Sequence, residues 1–108
     1  MNIDQHIRFE DITINLIELK VWVGNTNIRL TLTELRVLLA LLVDPCQTIS
    51  FNQLIQRADL VSKDQLQVLI AVLRRRFDHR YIFTERGVGY SFTAPAPAEI
   101  KTSGGLIT

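Results

Sequence analysis

One cysteine in 108 residues, Cys46, rules out an internal disulfide, and nothing else resembles the cysteine framework of a small secreted domain. A reducing, cytoplasmic setting is therefore expected. Long apolar runs are equally scarce. The longest aliphatic stretch, Val37 to Val43, is seven residues, and Met1 to Glu10 mixes Asp4, Gln5, His6 and Arg8 with no apolar segment. A membrane span needs about 20 apolar residues, so neither a span nor a signal peptide is expected. Catalytic constellations are missing as well. His6 and His79 share no metal-ligand spacing with Cys46, and no carboxylate pair, Ser/His/Asp set or Cys/His set stands in a motif context. No metal, no cofactor and no enzymatic activity are expected.

Net charge is also small, +1, but it is unevenly spread. Residues 1–60 carry five Lys/Arg against seven Asp/Glu, and residues 61–108 carry seven against four, so the balance moves from −2 to +3 along the chain. At 47% hydrophobic the chain is long enough for one core and too short for two.

Between Ile7 and Leu30 apolar residues alternate over short windows, Ile12, Ile14 and Leu16 on one face and then Leu19, Val21 and Val23, with Gly24-Asn25-Thr26-Asn27 as a turn. This predicts three or four short antiparallel strands, with Trp22 packing in one of them. Thr31-Leu32-Thr33-Glu34 is a capping box, a hydroxyl at the N-cap and a carboxylate three residues on. Leu35, Leu38, Leu39 and Leu42 continue it as a helical stripe to Val43, and Asp44-Pro45 ends it.

Ser50-Phe51-Asn52-Gln53 and Ser62-Lys63-Asp64-Gln65 are two further capping signatures, predicting a short helix over about 51–58 and a longer one over about 63–77. In the longer helix Leu66, Ile70, Leu73 and Phe77 form the core stripe, leaving Asp64, Gln67, Val68, Ala71, Val72 and Arg75 on the far side. Two β-prone runs follow within Tyr81–Phe92, joined by a turn in which Gly87 and Gly89 permit positive φ and Arg86 stands at the tip. The expected architecture is α+β: an N-terminal antiparallel sheet, three helices and a C-terminal hairpin, the order of a winged helix-turn-helix. Residues 1–93 form the domain, and 94–108, with Ala-Pro-Ala-Pro-Ala and Ser103-Gly104-Gly105, a flexible tail. A cation on a protruding turn suits phosphate or a narrow minor groove, which makes nucleic acid the leading partner.

From Ile7 to Phe92 the chain resembles the effector domain of the OmpR/PhoB family of response regulators. Leu30-Thr31-Leu32-Thr33-Glu34-Leu35 is similar to the family's opening of the first helix, and Thr48-Ile49-Ser50 to the strand before the second. Leu73-Arg74-Arg75-Arg76-Phe77 resembles the end of the recognition helix, and Thr84-Glu85-Arg86-Gly87-Val88-Gly89-Tyr90-Ser91-Phe92 the wing. The resemblance implies a stand-alone transcription regulator that binds double-stranded DNA, with the helix over about 63–77 in the major groove and the wing, 84–90, in the minor groove. Gln65, Gln67, Val68 and Arg75 would face bases, Val68 against a thymine methyl, while Lys63, Arg74 and Arg86 position the domain on phosphates or in the minor groove. RNA polymerase or another regulator, and a second copy on DNA, are the further partners it implies. The receiver domain of such regulators has no counterpart in these residues.

Departures from the family pattern give a second reading. Asp64 replaces an arginine, Leu69 a histidine, and Ala71 and Val72 positions that are often basic or polar, while Asp59 replaces a tryptophan closing the second helix. The loop to the third helix is short, about 59–62. Asp64, Leu69, Ala71 and Val72 could then form an interface for a protein partner instead of DNA.

Overall fold

The computed structural model describes residues 6–77 and 81–93. The expected tail at 94–108 and the first residues lie outside that range. Four strands open the chain: β1 (His6–Phe9), β2 (Ile12–Asn15), β3 (Lys20–Val23) and β4 (Thr26–Ile28), a meander paired in sequence order. Pairing of Phe9 with Ile12 and of Val23 with Thr26 leaves two-residue turns, and Glu10 (φ 55°) and Gly24 (φ 59°) take the left-handed conformation such turns require. Thr26 and Asn27, expected in a turn, are therefore strand residues, and the turn is only Gly24-Asn25.

Period-two alternation puts Ile12, Ile14 and Val21 into the core. The same alternation sends Trp22 outward. It shares a cross-strand row with Thr13 and Arg8 and is 37% exposed, so it packs on the outer face of the sheet and not in the core. Leu19 also departs from its expected face. It sits in the β2–β3 loop at φ 59° and is 52% exposed.

Helix α1 (Leu32–Leu42) begins at the capping box read from the sequence. Thr31 Oγ1 accepts the Glu34 amide at 3.2 Å, and Glu34 Oε1 accepts the Thr31 amide at 2.9 Å. Such a cap contributes about 1 kcal/mol. The buried face is broader than the leucine stripe, taking in Val37, Ala40 and Leu41, while Leu39 is half-buried. A helix enclosed by a sheet and two other helices buries more than one stripe.

Strand β5 (Ile49–Ser50) leads into α2 (Phe51–Arg57), capped by Ser50 Oγ on the Gln53 amide at 3.2 Å. Asp59 follows α2 at φ 57°, a conformation that aspartate tolerates better than tryptophan. After α3 (Lys63–Arg76), strands β6 (Ile82–Glu85) and β7 (Gly89–Phe92) form the hairpin, with β7 between β5 and β6. Gly87 (φ 75°) is the turn glycine expected. Gly89 is needed for another reason: a Cβ there would lie 1.8 Å from the Ile49 carbonyl oxygen, because β5 passes against it.

Phe92, fully buried, joins the layers. It meets Phe9 of β1 edge-on at 5.6 Å and Phe77 at 6.3 Å, and stacks on Tyr81 at 5.4 Å. Tyr81 in turn donates its hydroxyl to Asp11 Oδ1 at 2.7 Å, tying the hairpin to the first turn of the meander.

Candidate nucleic-acid interface

The interface is built on α3, whose core stripe Leu66, Ile70, Leu73 and Phe77 is buried as its spacing requires. With that side fixed inward, Asp64, Gln67, Val68, Ala71 and Arg75 are exposed, spaced so that they run along one outer face, and Val72 is half-buried beside them. Val68 exposes 62% of its surface, a large value for an aliphatic side chain. Leu69 does not join this face. It is half-buried and packs against the core cluster, so its assignment to an outward protein interface is corrected.

Each cation around α3 has a distinct setting. Lys63 holds its ammonium 4.2 Å above the Phe51 ring, which sits edge-on to Tyr90 at 5.5 Å. Arg74 turns inward: Nη2 donates to the Ile82 carbonyl at 3.0 Å and to Thr84 Oγ1 at 2.6 Å, and its guanidinium lies 5.8 Å from the Tyr90 ring. It straps α3 to the hairpin, a use that the sequence does not disclose beyond the nearness of Thr84 to the turn. Arg76 donates to the Arg29 carbonyl at 2.7 Å, bracing the segment before α1. Arg75 and Arg86 are exposed, Arg86 in the turn between β6 and β7. Arg74→Ala would leave two acceptors without their donor, so a loss of about 1–3 kcal/mol is expected in urea unfolding at unchanged m-value. An arginine serving only outward contacts would give a value near zero.

Gln65 is half-buried and partly committed. Its backbone N–H donates to the Ser62 hydroxyl at 3.1 Å, and its side-chain oxygen accepts the Val61 amide at 2.8 Å, so that only its NH2 group is uncommitted among the described residues. Carboxylates limit the positive field: Asp64 opens α3 and Glu85 adjoins Arg86, both exposed. Phe83 (56%), on the Glu85 face of β6, and Val88 (49%), in the turn, are exposed on the hairpin. Among the described residues no cluster of His, Cys, Asp or Glu could hold a metal ion, and no helix is long and apolar enough to cross a membrane.

Comparison with curated protein sequences gives no match. Among solved structures, the chain is similar to the Thermotoga maritima response regulator DrrB, described as an OmpR/PhoB homolog, at 27% identity and a TM-score of 0.73. That match covers 83% of this chain and 45% of DrrB, so the chain spans under half of that regulator's length. The C-terminal domain of the nisin resistance regulator NsrR matches at 27% identity and a TM-score of 0.72, covering 82% of this chain and 98% of that one. The DNA-binding domain of Klebsiella pneumoniae RstA, solved in complex with the RstA box, has a TM-score of 0.75 over 83% of this chain and 98% of its own; at 24% identity it bears on the fold. Residues 25–92 match the family described as "Transcriptional regulatory protein, C terminal". Capped helices, strapped hairpin and family match agree, and the chain belongs to this family of regulator C-terminal domains, in its OmpR/PhoB-type winged-helix form.

Proposed function

We propose that the domain is a sequence-preferring binder of double-stranded DNA that regulates transcription, with α3 in the major groove and the 84–90 wing in the adjacent minor groove. The observation that carries this reading is the outer face of α3, Gln67, Val68, Ala71 and Arg75, held in fixed relation to Arg86 by the Arg74 strap. Family membership and a fold shared with a DNA-bound domain support it. Lys63 and Arg86 position the domain on the backbone and in the minor groove, Gln65, Gln67 and Arg75 supply the polar base contacts, and Arg74 acts from inside. A protein partner on this face is the weaker reading, since Leu69 is half-buried against the core cluster and the exposed apolar strip shrinks to Val68, Ala71 and the half-buried Val72.

With so few donors on the face, thymine methyl groups are its main apolar marks. Titration against fragments of the parent genome is expected to reveal binding with a shallow salt dependence, about three to five counterions per monomer. Arg86→Ala should weaken it. Replacing contacted thymines by deoxyuridine should weaken it about fourfold per methyl, on the basis of about 0.8 kcal/mol per buried methylene-sized group. Absence of binding at low salt, or binding indifferent to Arg86→Ala, would overturn the DNA reading; indifference to deoxyuridine alone would remove the role given to Val68.

A further inference from the structure

The outer face of the N-terminal meander holds a hollow that neither the core nor the α3 face explains. Period-two alternation turns Ile12, Ile14 and Val21 inward and leaves Arg8, Thr13 and Trp22 in one outer row across β1, β2 and β3. Neighbours in such a row stand about 4.5–5.5 Å apart at Cβ, so an arginine and the chain's only tryptophan flank a shorter threonine. The hollow, about 350 Å³, is lined by this row, by His6 and Asn15 in the next row, and by the Gly24-Asn25 turn.

The lining is chemically selective. None of its residues is acidic, and Arg8 is exposed and makes no ion pair among the described residues, so the hollow favours an anion. Trp22 presents a flat ring with more than a third of its surface exposed, a platform on which another ring can stack. Asn15 is a fixed wall, since its Oδ1 accepts the amides of Ile17 and Glu18, both at 2.9 Å. The Thr13 hydroxyl and the Asn25 amide, by contrast, make no side-chain hydrogen bond among the described residues. A flat ring, a cation and uncommitted hydroxyl and amide groups in one small hollow are the complement of a base joined to a phosphate.

We infer that the outer face of the meander binds a free purine mononucleotide, its base stacked on the Trp22 indole, the base edge toward Thr13 and Asn25, and its phosphate on the Arg8 guanidinium. The spacing suits this ligand: Arg8 and Trp22 are two strands apart, about 9–10 Å at 4.7–4.9 Å per strand, which a base, ribose and phosphate can span. Size limits the occupant to one nucleotide, because the hollow lies at the small end of ligand pockets, about 300–1,000 Å³, and has no second aromatic ring for a neighbouring base. Between the two base classes, a purine covers more of the indole. One stacked face and one phosphate contact give modest affinity, a dissociation constant of about 0.1–1 mM.

Because Trp22 is the only tryptophan, its fluorescence reports the site without a label. The full chain is titrated with adenosine 5′-monophosphate, with excitation at the red edge of the indole band, where the nucleotide does not absorb. Saturable quenching is expected. Arg8→Ala should raise the dissociation constant about tenfold, the scale of one charge-assisted contact, and Arg36→Ala, at an exposed arginine of α1, should leave it unchanged. Adenosine alone and inorganic phosphate alone should each bind at least about tenfold more weakly. In amide spectra the shifts should fall on Thr13, Trp22 and Asn25 and spare Gln67 and Arg75. Quenching that does not saturate, quenching indifferent to Arg8→Ala, or shifts confined to α3 overturns the inference. A single-stranded oligoadenylate that binds more tightly, nucleotide for nucleotide, than the monophosphate overturns the free nucleotide as the occupant. No duplex DNA is present, so the result is separate from that of the DNA-binding reading.

Discussion

Alanine in place of Gly89 is expected to destabilise the domain by about 3 kcal/mol or more, at the upper end of what overpacking costs. The new Cβ would fall 1.8 Å from the Ile49 oxygen and 2.7 Å from its carbonyl carbon, and both belong to backbone that cannot rotate aside. Relief requires β5 to separate from β7, losing the pairing of Ile49 with Tyr90 and of Ser50 with Gly89. Since Ser50 is also the α2 N-cap, the start of that helix moves as well. Gly87→Ala makes the informative contrast. Nothing lies within 4 Å of its added Cβ, so only the left-handed backbone at φ 75° is penalised, at about 1–2 kcal/mol. Equal losses in urea unfolding for the two variants would refute the close approach of β5.

Phe92→Ala is expected to cost about 3–5 kcal/mol, within reach of the whole stability of a domain of this size. The ring is fully buried and touches aromatic partners from three parts of the chain: Phe9 in β1, Phe77 at the end of α3, and Tyr81 before β6. Its removal therefore leaves a cavity at a junction of layers that cannot all collapse inward together. Thermal unfolding should fall by more than about 10 °C, at about 4–8 °C per kcal/mol. Phe92→Leu, keeping most of the volume, should recover much of the loss. A Phe92→Ala variant that melts within a few degrees of the parent would show that the ring is not the junction described.

Elements governed by local chemistry were legible in the sequence. Thr31, Ser50 and Ser62 cap the three helices because hydroxyl acceptors at those places meet amides that the helix itself cannot satisfy. The inward stripe of α3 follows from spacing alone. What was not legible depends on chain segments distant in sequence. Gly89 reads as a turn residue until β5, some forty residues earlier, is laid against it. Arg74 reads as an outward cation until the hairpin brings Ile82 and Thr84 beneath it. Trp22 illustrates a third case: alternation fixes that it opposes Val21, but which face meets the helices is decided only when the sheet docks. For the candidate DNA face, the sequence marked Gln67, Val68, Ala71 and Arg75 as outward, while the partial burial of Leu69 and the partial commitment of Gln65 needed the packed structure.

The position of Phe92 also bears on how the domain is made. The aromatic junction is completed by a residue late in the domain, and β7, inserted between β5 and β6, is translated after both. During synthesis at about 5–20 residues per second, the meander and the first helices leave the ribosome several seconds before the strand that closes them arrives. Until then Ile49 and Phe9 lack their partners, and the unpaired edge of β5 is available to other chains. Ribosome-bound intermediates halted before Phe92 should accordingly be protease-sensitive throughout, with protection of the N-terminal strands appearing only once Phe92 has cleared the exit tunnel.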